Sequence, residues 1–190
     1  MKEIRQILAG LLIEGEETEI LSMKEAGIDP EIIEDGKTFE ENAVIKAKAV
    51  AAYKREAIVL ADDSGLEVDY LNKEPGIYSA RYLGEETPYS IKNNHIIERL
   101  QGVEGEERSA RFVCAIAAAL PDGGVITETA TIEGRIGYEE RGSNGFGYDP
   151  IFYVPEYGKT TAELSEEEKN AVSHRGKALR AIRERLETKE

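Results

Sequence analysis

The sequence predicts an α/β fold built on a mixed β-sheet, and three observations support this prediction. Segments with the apolar spacing of helices alternate with short runs typical of strands. Two longer strand-like runs, Ser109 to Leu120 and Val125 to Ile136, flank the turn sequence Pro121-Asp122-Gly123-Gly124. Such an arrangement predicts a long antiparallel hairpin. Helices alternating with strands around an inserted hairpin are typical of an α/β fold.

The first part of the chain predicts two helices and one strand. The apolar residues at the start of the chain have the spacing of one helical face: Ile4, Ile7, Leu8, Leu11 and Leu12. This spacing predicts a helix from Met1 to about Leu12. Thr18 to Met23 has the composition of a short strand. Thr38 and Glu41 have the spacing of a capping box, so a second helix is expected to follow Thr38 and run to about Arg55.

The next segments predict a hairpin followed by a helix. Ile58 to Ala61 is a short apolar run of the buried-strand type, and Leu66 to Tyr70 alternates like a second strand. Because Asp, Ser and Gly favour turns, residues 62–65 predict a hairpin turn between these two strands. A helix is expected from about Ser90 to Gln101.

The end of the chain predicts a last helical region that is interrupted once. Ser165 and Glu168 form a second capping box, and the helical pattern continues to about Glu187 with a break at 173–176. The chain contains no internal repeat and no linker rich in Pro, Gly or Ser. Residues 1–190 are therefore predicted to form a single domain.

Composition excludes several classes of function. The chain has 24 Lys and Arg residues against 38 Asp and Glu, a net charge of −14. Since nucleic-acid surfaces need clustered cations, no nucleic-acid partner is predicted. No apolar run approaches the roughly 18 residues of a membrane span, and the first residues do not resemble a signal peptide, so a cytoplasmic protein without a membrane partner is expected. Cys114, the single cysteine, lies in an apolar run and is predicted to be a buried hydrophobe.

Asp62-Asp63-Ser64-Gly65 is the strongest local signal for chemistry. Carboxylates after an apolar strand lie where open α/β sheets bind ligands. Mg²⁺ is commonly held by one or two carboxylates together with substrate phosphates, and a neighbouring carboxylate can deprotonate a water molecule. The alternative is a plain polar turn.

A glycine-rich segment ends in Phe146-Gly147-Tyr148-Asp149. Its aromatic rings, open backbone and carboxylate would suit stacking and hydrogen bonding to a purine nucleoside, although an aromatic-anchored surface loop has the same composition. Another polar segment, Glu34 to Thr38, has the composition of a simple loop before a helix cap. In that helix Asn42, Lys46 and Ala49 share a face that either borders a cleft or faces water.

Three cations lie near the break in the last helical region. Lys169 precedes His174 and Arg175 by five and six residues, so the three are expected to cluster. The arginine fork can donate two hydrogen bonds to O6 and N7 of a 6-oxopurine, whereas adenine presents a donor at position 6. The alternative is a solvated helix end.

Together these segments resemble the inosine triphosphate pyrophosphatase family, also called Ham1-like or dITP/XTP pyrophosphatases. The resemblance extends in order from about Met1 to Leu186 and rests on five motifs: Gly36-Lys37-Thr38-Phe39-Glu40-Glu41-Asn42-Ala43, Ala61-Asp62-Asp63-Ser64-Gly65-Leu66, Pro75-Gly76-Ile77-Tyr78-Ser79-Ala80-Arg81, Gly145-Phe146-Gly147-Tyr148-Asp149-Pro150 and Ser173-His174-Arg175.

The resemblance implies a fold, an activity and a set of site residues. It implies an elongated homodimer whose subunits have a two-lobed mixed sheet around a cleft. It also implies hydrolysis of the deaminated purine triphosphates ITP, dITP and XTP to monophosphate and pyrophosphate with Mg²⁺. By motif match, the roles are Asp63 as general base and metal ligand, Glu34 as second metal ligand, Ser64, Phe146, Gly147, Tyr148 and Asp149 as substrate contacts, Lys169 as a phosphate or ribose contact, and His174 with Arg175 as the base-recognising pair.

The chain departs from the family pattern at its first residues. Family members begin with a strand and a Thr-Gly-Asn-x-x-Lys loop that holds phosphates, whereas Met1 to Leu12 match the helix that follows this loop. An upstream start, a shortened chain and a natural truncation are the three explanations. The alternative function is a catalytically impaired nucleotide-binding or dimeric scaffold protein, which would bind inosine monophosphate without releasing pyrophosphate. An aspartate-phosphorylating phosphatase would require an Asp-x-Asp pair, which Asp62-Asp63 does not supply.

Overall fold

The computed structural model describes residues 1–13 and 15–188. The helices among these residues are α1 (Lys2–Leu8), α2 (Phe39–Ala51), α3 (Tyr89–Arg99), α4 (Glu166–Val172) and α5 (His174–Glu187). The strands are β1 (Leu12–Ile13), β2 (Glu16–Glu17), β3 (Val59–Val68), β4 (Ser109–Ala119), β5 (Val125–Ile136), β6 (Phe152–Val154) and β7 (Lys159–Thr160). The α/β class is therefore confirmed.

The strands form two sheets. A two-stranded antiparallel sheet pairs β1 with β2, and a five-stranded sheet has the order β3-β4-β5-β6-β7. The pairs β5–β6 and β6–β7 are antiparallel, with Arg135 opposite Tyr153 and Tyr153 opposite Thr160. The long hairpin of β4 and β5 is confirmed, and Gly123 at its tip has a φ of 86°, in the left-handed region that favours glycine.

The predicted hairpin across Asp62-Asp63-Ser64-Gly65 is wrong, because these residues lie inside the continuous strand β3. Successive strand residues point to opposite faces of a sheet. Asp62 is bound by Arg175, and Asp63 is bound by Lys46 and Asn42. These tertiary partners hold the two carboxylates, so the turn preference of the local sequence does not prevail.

The structure also corrects two predictions near the start of the chain. Helix α1 ends at Leu8 rather than near Leu12, and Gly10 with a φ of 66° reverses the backbone direction. The strand predicted from Thr18 to Met23 is absent, since pairing stops at Glu17. Arg5 instead donates to the carbonyl oxygen of Ile20, so a side chain satisfies a backbone acceptor that a sheet partner would otherwise take.

The helix starts follow the sequence closely. Thr38 caps α2, and its side chain accepts a hydrogen bond of 3.1 Å from the Glu41 amide. Ser165 and Glu168 form the predicted capping box at α4. A break in the last helical region is confirmed, but it is confined to Ser173, because α4 ends at Val172 and α5 begins at His174; residues 174–176, predicted to belong to the break, form the first turn of α5. No helix of the described chain is long and apolar enough to cross a membrane.

The chain divides into two compact units. The first unit contains Met1–Asp63, Cys114–Ala130 and His174–Glu190, and the second contains Ser64–Val113 and Thr131–Ser173. The first has a core formed by α1, α5, β4 and β5, in which Cys114 is buried as predicted. The core of the second is centred on Leu66, Ile96 and Phe152. That residues 1–190 form one domain stays a prediction.

Candidate functional site

A partly buried acidic side chain in the first unit is held by two residues of α2. Lys46 Nζ donates to Asp63 Oδ1 at 2.8 Å, and Asn42 Nδ2 donates to Asp63 Oδ2 at 3.3 Å. Asn42 and Lys46 are four residues apart, so they lie on one face of the helix. Helix α2 therefore presents an amide and an ammonium group to the middle of β3.

The loop before α2 brings a second carboxylate to the same ammonium group. Glu34 Oε2 lies 3.4 Å from Lys46 Nζ. The loop is fixed because Asn42 Oδ1 accepts a hydrogen bond of 2.9 Å from the amide of Gly36. A Cβ atom at Gly36 would lie 2.6 Å from Asn42 Oδ1, so only glycine permits this approach. Glu34 and Asp63 thus converge on a single cationic centre.

The environment of Asp63 acts on its pKa in both directions. Burial is the largest effect and raises the pKa of this carboxyl group above its ordinary value, because desolvation disfavours the charged form. Lys46 and Asn42 oppose the rise, and the negative charge of Glu34 adds to it. The result is a carboxylate with a raised proton affinity that remains hydrogen bonded.

The neighbouring carboxylate, Asp62, has a different partner. Arg175 donates from Nε and Nη2 to Asp62 Oδ2 at 3.2 and 2.8 Å. Arg175 is the second residue of α5, and His174 is the first. Asp62 therefore fixes the plane of the guanidinium group at the start of α5.

The second unit contains the glycine-rich loop, and Asp149 organises it. Asp149 is only 5% exposed. Its Oδ2 accepts hydrogen bonds from the amide of Phe146 at 2.8 Å and from Lys169 Nζ at 2.6 Å. Its Oδ1 accepts from Thr161 Oγ1 at 2.8 Å. Gly145 packs against the ion pair of Asp149 and Lys169, where a side chain would overlap with both groups.

The two aromatic residues of this loop differ in exposure. Phe146 is 74% exposed, and its ring centroid lies 5.8 Å from Lys169 Nζ. Tyr148 is buried, donates to the carbonyl oxygen of Ser79 at 2.6 Å and packs edge to face on Tyr89. Burial raises the pKa of Tyr148, so its hydroxyl group stays protonated. Phe146 is accordingly available for stacking, and Tyr148 anchors the loop.

The structure brings together some of the predicted site residues. In the first unit Glu34 and Asp63 share Lys46, and in the second Phe146 and Asp149 share Lys169. Ser64 is the first residue of the second unit and lies within β3. In the second unit Lys169 binds Asp149, and in the first unit Arg175 binds Asp62. That Lys169, His174 and Arg175 cluster stays a prediction.

Sequence analysis placed Asn42 and Lys46 on one helix face that either borders a cleft or faces water, but it gave neither residue a role in the site. Their spacing of four residues on a helix that follows Glu34 is the signal that points to them, but the same spacing is common on solvated helices. Thr161 was also missed, since a single threonine after β7 has no distinguishing pattern.

Comparisons with known proteins agree over most of the chain. Residues 1–185 match the sequence model of the Ham1 family. A Clostridium perfringens protein named dITP/XTP pyrophosphatase is 48% identical over 191 residues, which cover 98% of this chain and 91% of that protein. The solved Staphylococcus aureus Ham1 protein has a TM-score of 0.84 and 42% identity, covering 90% of this chain and 88% of that one. A HAM1 protein from Coxiella burnetii has a TM-score of 0.85 and 40% identity, covering 97% and 91%.

Proposed function

The chain belongs to the Ham1 family, and from that premise we propose that it hydrolyses deaminated purine nucleoside triphosphates to monophosphate and pyrophosphate. The substrates are ITP, dITP and XTP, and the effect is to remove them from the nucleotide pool. The observation that carries the proposal is the Asp63 carboxylate, which is partly buried, has a raised pKa and is bound by Lys46 and Asn42. A relative named dITP/XTP pyrophosphatase aligns with almost the whole chain, which supports this choice of substrates.

Asp63 is the general base in this proposal. A carboxylate with a raised pKa accepts a proton from water more readily than an ordinary surface aspartate. Lys46 and Asn42 hold both oxygen atoms of the side chain, so the carboxylate has one defined orientation toward the attacking water. Attack of that water on a phosphorus atom releases pyrophosphate from the nucleotide.

Mg²⁺ fits the acidic residues of the first unit. Glu34 and Asp63 offer hard oxygen donors, and both side chains contact the ammonium group of Lys46. Two carboxylates completed by substrate phosphates are a common magnesium arrangement. Asp63 and Glu34 would hold the ion, and when bound it neutralises charge on the phosphate oxygens.

The remaining roles concern nucleoside recognition. Phe146 stacks on the base, Gly147 provides open backbone in the loop, and Tyr148 anchors the loop. Asp149 acts through this loop, because its carboxylate already accepts from Phe146, Lys169 and Thr161. The other proposed contacts are Ser64 with the substrate, Lys169 with phosphate or ribose, and His174 with Arg175 as the readers of the 6-oxo group.

We also propose that the protein is a cytoplasmic homodimer. Exposed aromatic side chains of the second unit support a self-associating surface, since Tyr70 and Tyr78 are both exposed and tyrosine is enriched at interfaces. Light scattering after size exclusion should give a mass twice that of the 21.0 kDa chain. A mass of one chain across micromolar concentrations would rule the homodimer out.

The decisive experiment is pyrophosphate release from dITP, XTP and dATP with Mg²⁺. Selective turnover of dITP and XTP is expected, and Asp63→Asn should lower kcat by about 10³-fold, the scale of general-base catalysis. Asp35→Asn is the matched control, because Asp35 is exposed in the same unit and should leave kcat within twofold. Binding of inosine monophosphate without any pyrophosphate release would favour the scaffold function instead. A kcat of Asp63→Asn within a few-fold of that of the unsubstituted protein would show that Asp63 is not the general base.

A further inference from the structure

Helix α3 carries a polar side chain in a place where burial is costly. Asn93 is 1% exposed, and an amide group buried without hydrogen bonds destabilises a protein. Its Nδ2 donates to the carbonyl oxygen of Gly147 at 3.2 Å and to Glu140 Oε1 at 2.8 Å. Gly147 belongs to the glycine-rich loop, and Glu140 lies just before it in the chain. The burial of Asn93 is therefore explained by its contacts with these two residues.

The orientation of the Asn93 amide is fixed by chemistry. A carboxylate and a carbonyl oxygen can only accept, so the donor end of the amide must face them. The opposite atom, Asn93 Oδ1, is buried and has no hydrogen-bond partner within the described part of the chain. The helix thus leaves one polar atom unsatisfied while it keeps the donor on Gly147.

A second residue of α3 supports the neighbouring segment in the same way. Lys92 is fully buried, donates to the carbonyl oxygen of Ala80 at 2.7 Å and lies 4.7 Å from the centroid of the Tyr89 ring. Tyr89 packs edge to face on Tyr148 of the loop. Three residues of α3, Tyr89, Lys92 and Asn93, therefore connect the helix with the loop and with the segment that precedes the helix.

We propose that Asn93 is a positioning residue for nucleoside binding, and this inference rests on the proposed function of the loop. Asp149 holds the amide of Phe146, and Asn93 holds the carbonyl of Gly147. The backbone that carries the exposed Phe146 ring is thus held at the Phe146 amide and at the Gly147 carbonyl. Asn93 acts on the loop proposed to bind the nucleoside and not on the proposed general base. It therefore sets the affinity for the nucleoside rather than the rate of the chemical step.

The first test is the split between KM and kcat for dITP. Asn93→Ala should raise KM about tenfold, the scale of one buried hydrogen bond, and leave kcat within twofold. Asn94→Ala is the matched control, because Asn94 is the next residue of α3 and is exposed. A fall in kcat with unchanged KM, or equal constants for the two variants, would overturn the inference.

A second readout does not depend on turnover. Amide hydrogen exchange of residues 144–149 should accelerate in Asn93→Ala and stay unchanged in Asn94→Ala. If Asn93→Ala does not fold, Glu140→Ala takes its place, since Glu140 is exposed and its loss removes the other acceptor of the same amide. Glu140→Ala should raise KM for dITP about threefold. Unchanged exchange and unchanged KM would refute the positioning role, whereas absence of turnover in the unsubstituted protein would refute only the proposed function.

Discussion

Lys46 forms an ion pair of 2.8 Å with Asp63, and the same ammonium group lies 3.4 Å from Glu34. Two carboxylates that both contact one ammonium group would repel each other if that cation were removed. Lys46 also opposes the burial effect that raises the pKa of Asp63. The lysine therefore favours the ionised form of Asp63 in a position where burial favours the protonated form.

Replacement of Lys46 should impair catalysis more than folding. Lys46→Met is expected to lower kcat/KM for dITP about 100-fold, because Asp63 loses the charge partner that favours its ionised form and orients it. Lys48→Met is the matched control, since Lys48 is an exposed residue of the same helix and should leave kcat/KM within twofold. Steady-state kinetics with both variants check this, and similar losses in the two would contradict it.

The sequence predicted the acidic motif but not its surroundings. The bounds of β5, Val125–Ile136, follow from a regular pattern after a turn, because both signals are local. Asp63 was found because adjacent carboxylates after an apolar run are unusual. The turn at Asp62-Asp63 was predicted wrongly because its tertiary partners, Arg175 and Lys46, come from distant positions.

Other site features could not be predicted for related reasons. Asn93 is a polar residue on a helix, and such residues usually face water. Its burial depends on Gly147, which follows it by 54 positions. Asp149 was predicted to contact substrate, but local sequence does not indicate that Thr161 and Lys169 already bind its carboxylate.

Selectivity for the base should depend on the guanidinium group of Arg175. Its Nε and Nη2 bind Asp62, which fixes the plane of the fork. Arg175→Lys keeps the positive charge but removes the planar pair of donors. The preference for dITP over dATP should therefore fall about tenfold, measured as a ratio of kcat/KM values. Arg180→Lys, an exposed position of the same helix, should leave the ratio unchanged. An unaltered ratio in Arg175→Lys would exclude Arg175 as the reader of the base.

Two glycines of the glycine-rich loop should differ in their tolerance of a side chain. Both have positive φ, 75° at Gly145 and 67° at Gly147, so alanine adds backbone strain at either position. At Gly145 the new Cβ would also overlap with Asp149 and Lys169, whereas at Gly147 it would lie 3.6 Å from the Tyr89 ring. Gly145→Ala should lower the free energy of unfolding by about 3 kcal/mol and Gly147→Ala by about 1 kcal/mol. Denaturant titrations measure both values, and the reverse order would be inconsistent with the ion pair packed on Gly145.

The ion pair of Asp69 and Arg111 should make stability depend on pH in acid. Arg111 donates from Nη1 and Nη2 to the two oxygens of Asp69 at 2.9 and 3.0 Å, and these bonds lower the pKa of Asp69. A group with a lowered folded pKa contributes stability that is complete above its unfolded pKa of about 4 and is lost as the pH falls through the folded value. A double-mutant cycle with Asp69→Asn and Arg111→Met should give a coupling free energy of about 1 kcal/mol at pH 7, after screening by solvent. The coupling should decline only below about pH 4, where Asp69 begins to be protonated. A coupling that stays constant from pH 7 to pH 2 would show that the charge of Asp69 does not contribute to folding.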